Sequence, residues 1–323
     1  MYSRRASHSA PGGCGWYDSS PESLKQRVGG LLDAAKASPG FAMAGEGVLH
    51  GLIAPHAGII YSGLTASVAY RALYEYLYRP GNPTTRLFIV GPSHHAMLDG
   101  VAVSRARAYE TPFGPLPVDT AAAVAVLGAF AKAGVPADWT TQAVDEGEHS
   151  IEMQMPFLSY LLHFPLAPAT AAAVDGLRIV PIIAGWADRA LEGKIADALE
   201  DFVRDPCNVF ILSSDFCHWG RRFRYTFHYE REHYPAIGDA IIAMDHQGMD
   251  LLHNKDLDGW YHYLDQTNNT ICGRRPIGIG LNAWVKTLKS KKLAIDFVSY
   301  SQSNKCQNEQ DSSVSYAAAL IHS

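Results

Sequence analysis

Short, unbroken apolar runs, each followed by a turn and often by a helix-like stretch, constrain this 323-residue chain more than any other feature. Residues 48–54 precede a helix expected over 62–78, and residues 86–90 end in Gly91-Pro92. Residues 177–185 precede an amphipathic segment over 188–203, and residues 208–212 end in Ser213-Ser214-Asp215. A strand with one wet face alternates apolar and polar residues, whereas a strand covered on both faces is apolar throughout. Runs of the second kind, interleaved with helices, predict an α/β fold with one large, mostly parallel central sheet covered by helices. Further helices are expected over 119–132, 150–163, 236–244 and 276–288, and two late strands over 293–300 and 313–320. The Ala/Gly/Pro-rich stretches 34–47 and 165–176 read as surface loops rather than linkers, because strand-like runs follow each closely. The expectation is a single domain over residues 1–323.

Composition narrows the function classes. The net charge of −5 lacks the basic footprint of a nucleic-acid binder. The run Arg221-Arg222-Phe223-Arg224 reads as a solvated loop or an ion-pair cluster. No stretch approaches the roughly 18 apolar residues of a membrane span, and residues 121–131 read as a buried helix. The N-terminal segment carries Arg4 and Arg5 but no apolar signal core, so the expected compartment is the cytoplasm, with no membrane insertion. Five scattered cysteines without a CxxC pair argue against a disulfide framework.

The placement of the histidines points to chemistry. His56 follows the run 52–55, His94 and His95 follow 87–93, and Asp215 and His218 follow 209–214. Ligands of open α/β sheets bind beyond the carboxyl ends of the strands, so these three loops can converge on one crevice. Imidazole is a common ligand of zinc, copper and iron. A lone histidine after a strand is more often a structural residue, but three polar strand ends together point to a shared metal or catalytic pocket. His149, in Glu148-His149-Ser150-Ile151-Glu152, stands at a helix start that Ser150 is expected to cap, and faces either the crevice or solvent. Cys272 lies in the turn Asn269-Thr270-Ile271-Cys272-Gly273 just before a helix. There it is either a buried inert thiol or one whose lowered pKa makes it a ligand or nucleophile. Cys14, Cys207, Cys217 and Cys306 are read as structural.

Six ordered blocks together resemble the Memo family, named for mediator of ErbB2-driven cell motility. They are Ile53-Ala54-Pro55-His56-Ala57-Gly58, Gly91-Pro92-Ser93-His94-His95, the Glu148 to Glu152 block, Ser213 to Gly220, Asn269 to Gly278 and Gln310 to Tyr316. The likeness runs from about His8 and Trp16-Tyr17 to the C-terminus. It implies a fold similar to the class III extradiol dioxygenases of the LigB type. It places metal ligands on His56, His94 and Cys272, with Asp215 and His218 lining the same pocket as catalytic groups and His149 close by. It implies one iron or copper ion per chain, Fe(II) or Cu(I)/Cu(II), with zinc less favoured, and a redox or metal-homeostasis role linked to cell motility signalling. The third ligand is a thiol where the dioxygenases use a carboxylate, so ring cleavage is not expected. Arg275 stands where the animal members carry histidine. Two other functions stay open: a peptide- or phosphopeptide-binding adaptor with Trp16 and Tyr17 at the crevice rim, and a zinc-assisted hydrolase.

Overall fold

Along each central strand, successive side chains enter two different hydrophobic cores. Phe88 and Val90 join one, while Leu87 and Ile89 join the other. The same split separates Phe210 and Leu212 from Val209 and Ile211, and Ile53 from Leu52. A period of two with both faces apolar is what produces the unbroken hydrophobic runs in the sequence. In this computed structural model the described residues are 1–13, 15–43, 47–165, 174–230, 233–289 and 292–323. The Ala-rich stretches read as loops fall partly outside them.

The central sheet has nine strands. Strands Leu49–Ala54, Asn208–Ser213, Arg86–Pro92 and Arg178–Ala184 lie side by side and parallel. Antiparallel pairing flanks them: Ser313–His322 runs against Leu49–Ala54, and Val101–Val103 against Arg178–Ala184. Ala294–Gln302 and His218–Trp219 pair with Ser313–His322, and Ala137–Trp139 pairs with Val101–Val103. The α/β expectation therefore holds, with the sheet mixed overall and parallel at its centre. One core packs the Arg274–Thr287, Ile237–His253 and Leu257–Thr267 helices; the other packs Pro21–Ala34, Ile59–Leu77 and Met155–His163.

Several local expectations need correction. Helix Thr120–Lys132 buries Ala122, Ala123, Val126 and Phe130 and exposes Val124, so it is one-faced rather than buried. Alanine's small side chain fits either environment, which is why the composition misleads. Ser150 is not a cap: Glu148 accepts its backbone N–H at the N-terminus of the short His149–Glu152 helix, and the Ser150 hydroxyl donates to the Pro92 carbonyl. The Pro21–Ala34 helix escaped the sequence reading because it buries a narrow stripe, Leu24, Val28 and Leu32, and contains Gly29-Gly30. No helix among the described residues is long and apolar enough to cross a membrane.

The N-terminal segment is bolted to the sheet by Arg4. Ser3–Arg4 pairs with Ala108–Tyr109, and the Arg4 guanidinium is fully buried. It donates to Glu152 Oε2 at 2.8 Å and to the carbonyls of Asp145, Glu148 and Arg5. Glu152 also accepts from the Tyr17 hydroxyl and from the His8 backbone N–H, and meets His8 Nδ1 at 2.7 Å. Burial alone would raise the Glu152 pKa, but His8 and Arg4 reverse this and hold it at about 2, below its ordinary 4.5. A depressed acid stabilises the fold fully above its ordinary pKa and loses that contribution as pH falls through the folded value. The pair should therefore weaken between about pH 4.5 and about pH 2. Arg4→Met should cost about 3 kcal/mol or more at neutral pH, because it leaves the Glu152 charge buried and undercompensated. The deficit should shrink toward the acid end of that window, as followed by urea unfolding at stepped pH.

Candidate functional site

Because Leu49–Ala54, Asn208–Ser213 and Arg86–Pro92 are parallel neighbours, their carboxyl ends lie along one edge of the sheet. His56, Asp215 and His94 follow those ends directly, so topology alone brings them together. Two glycines allow the remaining elements to close in. A Cβ at Gly91 would lie 2.5 Å from Ser150 Oγ, so glycine admits the His149–Glu152 helix against the strand end. A Cβ at Gly273 would lie 2.3 Å from Ser214 Cβ, so glycine seats the Cys272 turn on the Ser213-Ser214 backbone.

The result is a cluster in which the side-chain donor atoms of His56, His94 and Cys272 all lie within 4.8 Å of one another. Cys272 Sγ is 3.1 Å from His56 Nε2 and accepts the Asp215 backbone N–H at 3.2 Å. His56 is buried, and its Nδ1 lies 2.7 Å from Ser213 Oγ. That hydroxyl has a single hydrogen, which it donates to the Ser150 carbonyl at 2.7 Å. It must therefore accept from its other partners, Gln154 Nε2 at 2.8 Å and His56 Nδ1. The Gln154 amide is itself oriented, since its oxygen accepts from the Tyr70 hydroxyl and its nitrogen also donates to the Pro55 carbonyl. His56 thus carries its proton on Nδ1 and presents a lone pair from Nε2. Burial, then repulsion from His94, hold its pKa well below the ordinary 6.5, so the ring stays neutral.

His94 is set in the same way by a carboxylate. Its Nδ1 lies 2.8 Å from Glu148 Oε1, and its backbone N–H donates to Glu148 Oε2 at 2.6 Å. A carboxylate can only accept, so Nδ1 of His94 carries a proton and the lone pair of the neutral ring lies on Nε2. Burial would raise the Glu148 pKa, but the His94 contacts outweigh it and hold the acid far below its usual range. Glu148, His94 and His149 form a second group of close donor atoms. Both Glu148 oxygens are already committed to hydrogen bonds, which makes Glu148 a support for His94 rather than a competing ligand.

The other expected site residues lie around this cluster. Asp215 Oδ1 accepts the backbone N–H groups of His56 and Ala57, and Oδ2 is 3.9 Å from His56 Nε2. Burial raises the Asp215 pKa, against the pull of His218. His218 Nδ1 lies 2.9 Å from the Phe216 carbonyl, and its backbone N–H donates to Thr270 Oγ1 beside the Cys272 turn. His149 stacks on His94 with ring centroids 4.3 Å apart, and its buried Nδ1 has no hydrogen-bond partner among the described residues. Burial, then the neighbouring imidazoles of His56 and His94, push its pKa down to about 3. His56, His94, His149, Asp215 and His218 line a crevice of about 830 Å³. Trp16 and Arg222 share its wall, and Arg222 stacks over Phe223.

Of the two readings left open for Cys272, the lowered pKa is not seen: burial, then the Asp215 charge, push the thiol well above its ordinary value, outweighing any benefit from the helix start. One expectation fails here. Tyr17 is not at the rim: it is buried and bonded to Glu152, while Trp16 is partly exposed. Sequence reading also missed Ser213, Gln154 and Glu148 as the groups that orient the imidazoles. Ser213 stood at the end of an apolar run, and Glu148 and Gln154 in the polar segment around His149. Among the described cysteines, Cys207, Cys217, Cys272 and Cys306 are free; Cys14 lies outside the described residues.

Comparison with known proteins places the chain in a family. The family described as Memo-like protein matches residues 5–320. Protein MEMO1 of Xenopus laevis is 37% identical over 319 residues, covering 98% of this chain and 97% of that protein. Human Protein MEMO1 is 35% identical with the same coverage. The Caenorhabditis elegans Protein memo-1 homolog is 33% identical over 322 residues, 99% of this chain and 83% of its own length. With this likeness extending over nearly the whole sequence, the chain belongs to the Memo-like protein family.

Proposed function

We propose that the chain, folding as one domain, binds a single redox-active metal ion, iron or copper, through His56 Nε2, His94 Nε2 and Cys272 Sγ, in a redox or metal-handling role. The carrying observation is that hydrogen bonds on the far side of both rings leave Nε2 free beside a thiol, with the three donor atoms within 4.8 Å. Spacing of this order suits donors sharing one ion at bond lengths of about 2.0–2.3 Å. Two imidazoles and a thiolate form a softer set than two imidazoles and a carboxylate, which favours Cu(I) over a strict Fe(II) site. Such an ion, when bound, supplies one-electron chemistry. The residues of the chain do the rest: Ser213 and Glu148 hold the rings, and Asp215 and His218 orient or move protons. His149, stacked on His94 at the same crevice, stays neutral near pH 7 and keeps the ring of His94 in place. Zinc remains the weaker alternative, since ligand count alone does not discriminate it.

His56→Ala and His94→Ala should each abolish tight binding of Fe(II) and Cu(I), as measured by anaerobic calorimetry; unchanged affinity in both would end the metal reading. Cys272→Ser should lower Cu(I) affinity much more than Fe(II) affinity in a competition titration, and an unchanged ratio would remove the thiolate from the ligand set. Because the metal-free thiol is held protonated, binding should release one proton. Affinity should then fall by about tenfold for each pH unit lowered below neutrality.

Ser213→Ala and Glu148→Gln test the orienting hydrogen bonds. Each should weaken metal binding by about 10- to 100-fold without abolishing it. In metal-free wild type, nitrogen NMR should find His56 as the neutral Nδ1–H form across the neutral range. An Nε2–H form would contradict the hydrogen-bond assignment.

A further inference from the structure

A second cavity, of about 620 Å³, meets the same cluster at His94 and Cys272. Arg274, Arg275, Trp186 and Met97 form much of its remaining wall. The two arginines open the Arg274–Thr287 helix, whose first turn carries no acid and whose cap makes no side-chain hydrogen bond. Cations are disfavoured at that end of a helix, so this placement needs a reason. Both residues are half-buried. Arg275 donates from Nε to the Ala187 carbonyl at 3.1 Å, and its terminal amino groups have no partner among the described residues. Arg274 makes no side-chain hydrogen bond or ion pair among the described residues.

Nearby acids do not neutralise the pair. Glu192 accepts from the Tyr261 hydroxyl, and burial raises its pKa to about 7, so it is only partly charged at neutral pH. Asp99 lines the cavity but is exposed and forms no ion pair with either arginine among the described residues. Trp186 and Met97 are strongly exposed at the rim and offer apolar surface for the body of a ligand. A guanidinium fork matches the paired oxygens of a carboxylate or phosphate, and the cavity volume suits a small molecule.

We propose that this cavity binds a small oxyanion, a carboxylate or phosphate group held by Arg274 and Arg275, with the rest of the ligand against Trp186. Anchored there, the ligand lies beside His94 and Cys272; its delivery to a bound metal rests on the metal reading above, whereas the anion site itself does not.

The test is calorimetric titration of the full-length protein with inorganic phosphate and with malonate, before and after metal chelation. At least one anion should bind with an affinity that chelation leaves unchanged. That affinity should fall by about tenfold or more in Arg274→Gln and in Arg275→Gln, the usual scale for losing a charged hydrogen-bonding partner. Arg275→Lys, which keeps the charge without the fork and guards against a folding artefact, should fall between wild type and Arg275→Gln. Binding unchanged in both glutamine variants, binding lost on chelation, or no binding of either anion would each overturn the proposal. So would a loss confined to Arg222→Gln, which would place the anion in the other crevice. A protein that binds phosphate through these arginines but holds no metal would leave the anion site standing and defeat only the metal reading.

Discussion

Ser213 has one hydroxyl hydrogen, and the Ser150 carbonyl takes it. From that constraint the His56 tautomer follows, and with it the direction of the Nε2 lone pair toward Cys272. The same bond ties the end of a central strand to the short helix that carries Glu148 and His149, so a change at Ser213 would disturb both imidazole supports. Arg4 reinforces the arrangement from outside by joining Glu152 to the carbonyls of Asp145 and Glu148. The site is thus oriented by groups that never touch its open centre, the usual arrangement when imidazoles must be held for a metal.

Burial acts differently on each member of the cluster. It keeps His56 and His149 neutral, which leaves imidazole lone pairs available, and it keeps the Cys272 proton in place. In the metal-free protein that S–H donates to His56 Nε2, since the nitrogen carries no proton of its own. Glu148 and Glu152 stay charged because they face His94, His8 and Arg4 at hydrogen-bonding distance. Low-dielectric surroundings therefore select neutral donors at the centre and paired charges behind them.

Much of this was legible in the sequence, and the remainder was lost for identifiable reasons. Unbroken apolar runs ending in His56, His94 and Asp215 were enough to foresee a covered sheet with those residues at one edge. Cys272 was visible as a thiol in a turn before a helix, although its pKa direction stayed open because burial depends on packing that local sequence does not reveal. Of the sheet's two flanks, the late strands were foreseen, whereas Val101–Val103 and Ala137–Trp139 escaped because they are too short to show periodicity. The orienting partners escaped because they are remote along the chain: Ser213 lies 157 residues from His56, Glu148 54 from His94, and Glu152 148 from Arg4. Hydrogen-bond pairing across such separations becomes visible only once the strands are in register.

X-ray absorption spectroscopy of the copper- or iron-loaded protein tests the central claim most directly, because it reads the donor atoms themselves. Two imidazole nitrogens and one sulfur, the latter close to the about 2.3 Å typical of a zinc–thiolate bond, are the predicted shell. The sulfur scatterer should disappear in Cys272→Ser while the imidazole signature remains. A metal shell of oxygen and nitrogen alone in the wild-type protein, identical in Cys272→Ser, would contradict it.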